Sequence, residues 1–378
     1  MRVVIAPDSF KECLSAREVA AAIAEGWQQA APGDDLSLVP LADGGEGTTV
    51  ALVESQAGRL IPVDVTGPLG STVRAQYGLV DDGRTAIVEV AEGSGLHHVA
   101  AVQRDAMQAT SRGTGDVIRA ALAHGPDKLV LCLGGSATTD GGAGILQALG
   151  ARLLDSSGRD IPPGGAGLRL LDALDLSPAL EALAGVQLVV ACDVSNPLLG
   201  PDGAAAVFGP QKGALPEDVR QLDSALAHFS RLAAEQGHDI HSFPGSGAAG
   251  GIGGMVAGML GATLKSGIEL VMETVGLAGQ VATADLVITA EGAIDAQSAA
   301  GKTPAGVSSL ARKSGVPVIG LCGRLGRDLQ AMHELGLTAA YSIVPGPATL
   351  EEAMHEAEAN LKQTAGQLAR TVHGLSRG

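Results

Sequence analysis

One order of signals recurs along this chain and limits its fold more than any other feature. A short apolar run is followed by a turn rich in glycine and aspartate, and then by a stretch with helical spacing. Val3 to Ala6 ends at Pro7-Asp8, and Ser15-Ala-Arg-Glu18 then forms a capping-box pattern before an alanine-rich helix to about Ala30. Leu36 to Leu41 meets Asp43-Gly-Gly-Glu-Gly47, and helical spacing resumes through Val50, Leu52 and Val53. Lys128 to Leu133 leads through Gly134-Gly-Ser-Ala-Thr-Thr-Asp-Gly-Gly-Ala-Gly144 into a helix to about Leu149, and Val186 to Cys192 ends at Asp193. From Asp285 the order returns, with strands at Leu286 to Thr289, Val316 to Leu321 and Ala339 to Val344. Helices are expected from Thr303-Pro304, after Gly326, and from a cap at Thr349 with Glu352. Strands that are apolar on both faces need helices on both sides, which is the arrangement of a parallel α/β sheet.

Two segments depart from that order. Between Leu60 and Glu92, β-branched residues alternate and are broken by Gly-Pro and Asp-Asp-Gly turns, which predicts an antiparallel patch opening a different domain. Pro216-Glu-Asp starts a long helix to Gln236, with proline and acids where the first turn favours them. The 378 residues suit two domains. The expected fold is α/β: a doubly wound flavodoxin/Rossmann-like domain built from both termini (1–65 plus 283–378), with a mixed α/β domain inserted at 66–282. The inserted domain would carry the glycine-rich phosphate-binding loop.

A formal net charge of −16 argues against nucleic acid or an anionic membrane as partner, since both would repel such a surface. Glycine supplies 54 residues, about twice the usual roughly 7%, and marks tight turns and close backbone approach. The four cysteines are far apart with no CxxC pair, so a disulfide framework or zinc site is not expected, and a reducing cytoplasm fits. No apolar stretch is long enough to span a bilayer.

The chemistry concentrates in the turns. Gly134, Gly135, Ser136, Thr138, Gly141, Gly142 and Gly144 stand between a buried strand and a helix, where backbone N–H groups could close around an anion. Asp8, Asp43, Asp193 and Asp295 stand at or just beyond strand ends, the edge at which open α/β sheets bind ligands. Each aspartate alone is more often a cap or turn former; as a set they could hold Mg²⁺ or accept a proton. Lys11, Lys212 and Lys302 sit in Gly- or Pro-flanked loops, where an acidic chain would place local anion recognition. Gly301-Lys-Thr303 ends like a phosphate loop, but Ala296 stands where its first glycine belongs. Gly245-Ser-Gly-Ala-Ala-Gly250 matches a dinucleotide pattern but follows Phe243-Pro244 rather than a strand, leaving a second anion nest as its functional reading. No nucleophile elbow, His metal pair or Cys–His arrangement supports covalent catalysis.

Taken together, Pro7-Asp-Ser-Phe-Lys11, Ala42-Asp-Gly-Gly-Glu-Gly47, the Gly134–Gly144 run, Cys192-Asp-Val-Ser-Asn-Pro-Leu198, Gly209-Pro-Gln-Lys-Gly-Ala214 and Asp285-Leu-Val-Ile-Thr-Ala-Glu-Gly-Ala-Ile-Asp295 with Gly301-Lys-Thr-Pro304 resemble the bacterial glycerate kinase family that includes glyoxylate- and glucarate-pathway enzymes. The segments run in order from residue 1 to about 345. One departure is Ala290, where a glycine is expected. The resemblance implies phosphorylation of D-glycerate, usually to 2-phosphoglycerate, by a two-domain protein using ATP and Mg²⁺, with a homodimer among the assemblies it allows. On this reading Asp193 and Asp295 serve as base and metal ligands, and Lys11 and Lys302 pair with transferred or substrate charge. Lys212 and the Gly134–Gly144 loop hold the nucleotide, while Asp8, Ser9, Asp43, Gly44, Gly45 and Glu46 hold the substrate. A kinase for another small hydroxy acid and a non-catalytic nucleotide- or acid-binding sensor stay open as alternatives.

Overall fold

The computed structural model describes residues 1–10, 13–45, 47–299 and 301–375. The strands, in chain order, are β1 (Arg2–Ile5), β2 (Asp35–Leu38), β3 (Arg59–Thr66), β4 (Thr72–Val80), β5 (Thr85–Glu89), β6 (Lys128–Cys132) and β7 (Arg152–Leu154), then β8 (Ala173–Asp175), β9 (Gln187–Ala191), β10 (Thr263–Lys265), β11 (Leu286–Ile294), β12 (Val318–Leu325) and β13 (Leu337–Ser342). The fold is α/β, and the chain divides into two compact units: Met1–Asp43 with Ile268–Gly378, and Gly44–Gly267.

The first unit is a five-stranded, wholly parallel sheet in the order β13-β12-β11-β1-β2. β1 joins residues from opposite ends of the chain, pairing Val3 with Leu286 and Ile5 with Ile288. Val3, Ile5, Ile288 and Leu321 are buried, and so are Val19, Ile23 and Trp27 of the helix Ala16–Ala30. Ser15 and Glu18 cap that helix reciprocally, as the sequence pattern predicts. Its partner is the helix Ala357–Leu375, and Gly26 lies against the backbone of that helix at Lys362. A Cβ built there would stand 2.0 Å from the Lys362 carbonyl oxygen, so no larger residue fits without separating the helices.

In the second unit, β10, β9, β6 and β5 run parallel, and β4 and β3 continue the sheet antiparallel. Its core gathers Leu129 and Leu131 of β6, Ile145 and Leu146 after the glycine-rich loop, and Leu222, Leu226 and Phe229 of the long helix Pro216–Glu235. β7 and β8 form a separate hairpin sheet.

The structural boundaries differ from those expected at 65/66 and 282/283. Residues 44–66 join the second unit because β3 pairs along its whole length with β4, and because Glu89 of β5 accepts the backbone N–H groups of Gly47 and Thr49. Residues 268–282 join the first: Ile268 packs against Gly306, and Gln280 hydrogen-bonds Ser37 of β2. Two strands also differ at their ends. β11 runs on to Ile294 rather than stopping at Thr289, and β12 runs on to Leu325.

Asp34 ties the edge of the first unit together. Its Oδ1 accepts the N-terminal ammonium at 2.8 Å, while Oδ2 accepts the Trp27 indole N–H and meets His373 Nε2, each at 2.8 Å. Burial pushes this carboxyl up, but the ammonium, His373 and Trp27 outweigh it and hold the pKa down at about 2. A carboxylate whose pKa is lower folded than unfolded stabilises above its unfolded pKa, and that stability is lost as pH falls toward the folded value. Asp34→Asn should therefore cost about 2 kcal/mol at pH 7. Urea denaturation should show the difference between the two proteins shrinking as pH falls from about 4 to about 2.

Candidate active site

Counted within the first unit, the strand order is 5-4-3-1-2, the doubly wound pattern with its switch point between the first and third strands. Here those strands are β1 and β11. A cavity of about 660 Å³ opens beyond their carboxyl ends, with Asp8, Ser9, Glu291, Lys302 and Arg324 among its lining residues. The turn after β1 places Asp8, which is buried. One carboxylate oxygen accepts the Ser9 N–H at 2.6 Å and its hydroxyl at 3.2 Å, and the other accepts the Thr303 hydroxyl. Burial pushes the Asp8 carboxyl up, Thr303 and Ser9 pull it back, and the Asp43 charge adds to the rise. Glu291 stands on β11 because that strand continues past Thr289. Its Oε1 accepts Lys302 Nζ at 2.8 Å, while its buried Oε2 has no hydrogen-bond partner among the described residues. Burial raises the Glu291 carboxyl against the pull of Lys302, and Asp8 and Asp43 raise it further. Lys302 is the N-cap residue of the helix Thr303–Ser314, so the positive end of that helix also meets the cavity.

The second unit has its own cavity, of about 220 Å³, at the carboxyl ends of β6 and β9. Gly44, Gly45, Gly134, Gly135, Ser136, Asp193 and Lys212 line it. Asp193 is exposed, and its Oδ1 accepts the Gly267 N–H at 2.8 Å. Ala249, also in the lining, holds φ at 50°, a left-handed conformation that costs a non-glycine residue roughly 1–2 kcal/mol.

The glycine-rich loop divides between two duties. Gly134, Gly135 and Ser136 face the cavity. Thr138, Gly141, Gly142 and Gly144 do not, and their polar backbone groups are used inside the protein. The Gly142 and Gly144 N–H groups donate to buried Asp140, at 3.1 and 3.3 Å, and the Gly141 N–H donates to Gly250 at 3.0 Å. Asp140 also accepts the Ser111 N–H at 2.8 Å and hydroxyl at 2.9 Å, which ties this loop to the start of the helix Arg112–Leu122. The expected anion cradle thus holds an internal carboxylate over most of its length. Lys212 is almost fully buried, and donates to Ser136 Oγ at 2.9 Å and to the Thr138 carbonyl at 2.6 Å. Burial lowers its pKa to about 7, against the opposing pull of the Asp140 charge. The second glycine pattern likewise spends its amides internally, Gly247 on Asn196 and Ala248 on Gly245.

Asp295 lines neither cavity. It is a turn former: Oδ1 accepts the Gln297 N–H at 3.0 Å, and Oδ2 pairs with Arg324 at 2.7 Å. Those contacts hold its carboxyl below the usual range, the Gln297 N–H foremost. Glu291 and Arg324 are polar cavity residues that strand-end reasoning missed, because it ended β11 and β12 too early. The Ala-Glu-Gly run after Thr289 was the available signal. Ala290 itself is buried in β11, and its carbonyl accepts the Asp8 N–H at 2.8 Å. Lys11 and Glu46 lie outside the described residues. Among the described residues, no group of three or more His, Cys, Asp or Glu side chains is placed to hold a metal ion by itself.

The profile of the glycerate kinase family matches residues 3–373. The chain belongs to the glycerate kinase family. A protein of Bacillus subtilis strain 168 named glycerate kinase is 49% identical over 373 residues, covering 98% of each chain. A glycerate 2-kinase of Escherichia coli K12 is 45% identical, again over 98% of each. The crystal structure described as glycerate kinase 2 from Salmonella typhimurium LT2 is 47% identical and covers 100% of this chain and 99% of its own, with a TM-score of 0.90. The chain is thus a kinase of this family. No helix among the described residues is long and apolar enough to cross a membrane.

Lys212 provides a test of the loop's internal electrostatics. With a folded pKa near 7 and an ordinary unfolded value of 10.5, the unfolded chain binds more protons between those limits. Stability contributed at this site therefore rises with pH through that window. The stability of the wild type relative to Lys212→Met should increase from pH 7 to pH 10 in urea titrations, and a flat difference would place an ordinary, solvated ammonium there.

Proposed function

We propose that this chain transfers the γ-phosphoryl group of ATP to D-glycerate, forming 2-phosphoglycerate. Family membership and full-length relatives named for glycerate phosphorylation support the reaction. The observation that carries the assignment of roles is Asp193: an accessible carboxylate, steadied through one oxygen by Gly267, beside a small cavity lined by glycines and Ser136. That cavity falls below the roughly 300–1,000 Å³ of sites for drug-sized ligands, a size suited to a three-carbon hydroxy acid.

Phosphoryl transfer depends on positioning and charge stabilisation more than on covalent help from the protein. Asp193 orients the glycerate hydroxyl and takes its proton as the oxygen attacks the γ-phosphorus and ADP leaves. Gly134, Gly135 and Ser136 fix the acid's orientation, and Lys302 offsets charge on the donor's phosphates. Magnesium bound with nucleotide phosphates needs only one or two protein carboxylates, so the lack of a protein-only cage does not argue against it. Glu291 fits that role, since its buried Oε2 has no partner among the described residues; Asp295 does not, since both its oxygens are engaged. When bound, the ion would neutralise part of the phosphate charge.

³¹P NMR of the products formed from ATP, Mg²⁺ and D-glycerate tests the reaction and its regiochemistry. A 2-phosphoglycerate resonance is expected; a 3-phosphoglycerate resonance would overturn the regiochemistry, and unreacted ATP would overturn the reaction itself. Asp193→Asn should lower kcat by about a hundredfold or more, the contribution of a general base, with little change in KM for ATP.

A further inference from the structure

The glycine-rich loop, the obvious place for nucleotide phosphates, is already occupied by its own protein. Gly141, Gly142 and Gly144 spend their N–H groups on Gly250 and Asp140, and Lys212 spends its ammonium on Ser136 and Thr138. The cavity beside it measures about 220 Å³. Neither feature suits a nucleoside triphosphate.

The cavity of the first unit differs in size and in lining. At about 660 Å³ it lies well inside the range of small-molecule sites. Residues 343–354 contribute an apolar part of the lining, with Ile343, Val344, Pro347, Ala353 and Met354 in it, while the turn after β1, strands β11 and β12 and the helix start at Lys302 contribute Asp8, Ser9, Glu291, Arg324 and Lys302. A purine nucleoside triphosphate has the same division, with a flat, weakly polar base at one end and concentrated negative charge at the other. The polar part lies beyond the β1 and β11 carboxyl ends, the switch point at which doubly wound sheets bind ligands. The helix Thr303–Ser314 begins there with Lys302 as its N-cap and no side chain capping its first turn. Its amide dipoles favour an anion there, and so does Lys302, whose ammonium pairs with Glu291 at 2.8 Å through one of its N–H groups and is 40% exposed.

We infer that this first-unit cavity is the nucleotide site, with the base against the apolar Val344–Met354 lining and the phosphates toward Lys302. The inference takes the ligand's identity from the proposed function; the cavity's form and lining stand apart from it.

Photolabelling of the full-length protein with 8-azido-ATP, followed by tryptic mapping, tests the assignment. Label displaced by excess ATP is expected on the peptide covering residues 328–362, which contains the apolar lining. ATP-protected label on peptides 129–152 or 170–212 would move the nucleotide to the second unit and overturn the inference, as would the absence of protected label on 328–362. A parallel assay of glycerate phosphorylation separates the two readings. Turnover with label elsewhere removes only this site, whereas no turnover with ATP removes the proposed function. As a second line, Ala353→Trp, which fills the apolar end, should raise KM for ATP by about tenfold or more while KM for glycerate stays within about twofold. An unchanged KM for ATP in that variant would overturn the site, with retained glycerate KM and circular dichroism establishing that it folds. Should Ala353→Trp fail to fold, Met354→Ala carries the same test, with an expected rise of a few fold.

Discussion

The parallel pairing of β1 with β11 is the contact on which the rest of the architecture depends. It joins Val3 to Leu286 and Ile5 to Ile288 across most of the chain, closing a sheet from its two termini. Everything between the crossing points must then fold as an insertion, and residues 44–267 do so around a sheet of their own. Bringing such distant segments together costs less entropy than its span suggests, since closure grows only by about 0.6 kcal/mol per doubling of the loop. The apolar runs of β1 and β11 repay that cost, being buried between helix layers on both faces.

The same pairing creates chemistry as a by-product. Adjacent parallel strands whose helices leave to opposite faces open a crevice at their carboxyl ends, and whatever polar residues end those strands are thrown together there. In the first unit these are Asp8 and Ser9 after β1 and Glu291 within β11, with Lys302 at the next helix start. Burial and the neighbouring Asp43 charge push both the Asp8 and the Glu291 carboxyl up, and the Asp8 charge raises Glu291 further. In the second unit, β6 and β9 place the Gly134–Ser136 turn beside Asp193 in the same way.

The glycine-rich loop shows how one sequence signal can serve two purposes. Buried Asp140 draws in four donors from Ser111, Gly142 and Gly144, a set that satisfies an otherwise costly internal charge. Buried Lys212 hangs from the same loop, its ammonium weakened by burial and steadied by Ser136 and the Thr138 carbonyl. These bonds hold the turn that presents Gly134, Gly135 and Ser136 to the cavity, so most of the motif is a support and only its first three residues line that cavity.

Local chemistry was legible from the residues alone. The apolar runs, the Ser15 and Thr349 capping boxes, the antiparallel patch after Leu60 and the proline-started helix at 216 follow from periodicity and backbone preferences that act over a few residues. The α/β class and the use of both termini in one sheet also followed, because buried strands need helices on both faces. Only tertiary structure decided where the units divide, because the bonds from Gly47 and Thr49 to Glu89 and the burial of Ile268 are long-range choices that no local pattern encodes. It likewise decided that Glu291 rather than Asp295 reaches the cavity. The five-residue-longer reach of β11 is set by its neighbour, and Ala293 and Ile294 of β11 remain in register with Arg324 and Leu325 of β12. A carboxylate reads the same in sequence whether it faces a ligand, caps a turn or holds a loop from within; only the position of its donors distinguishes the three.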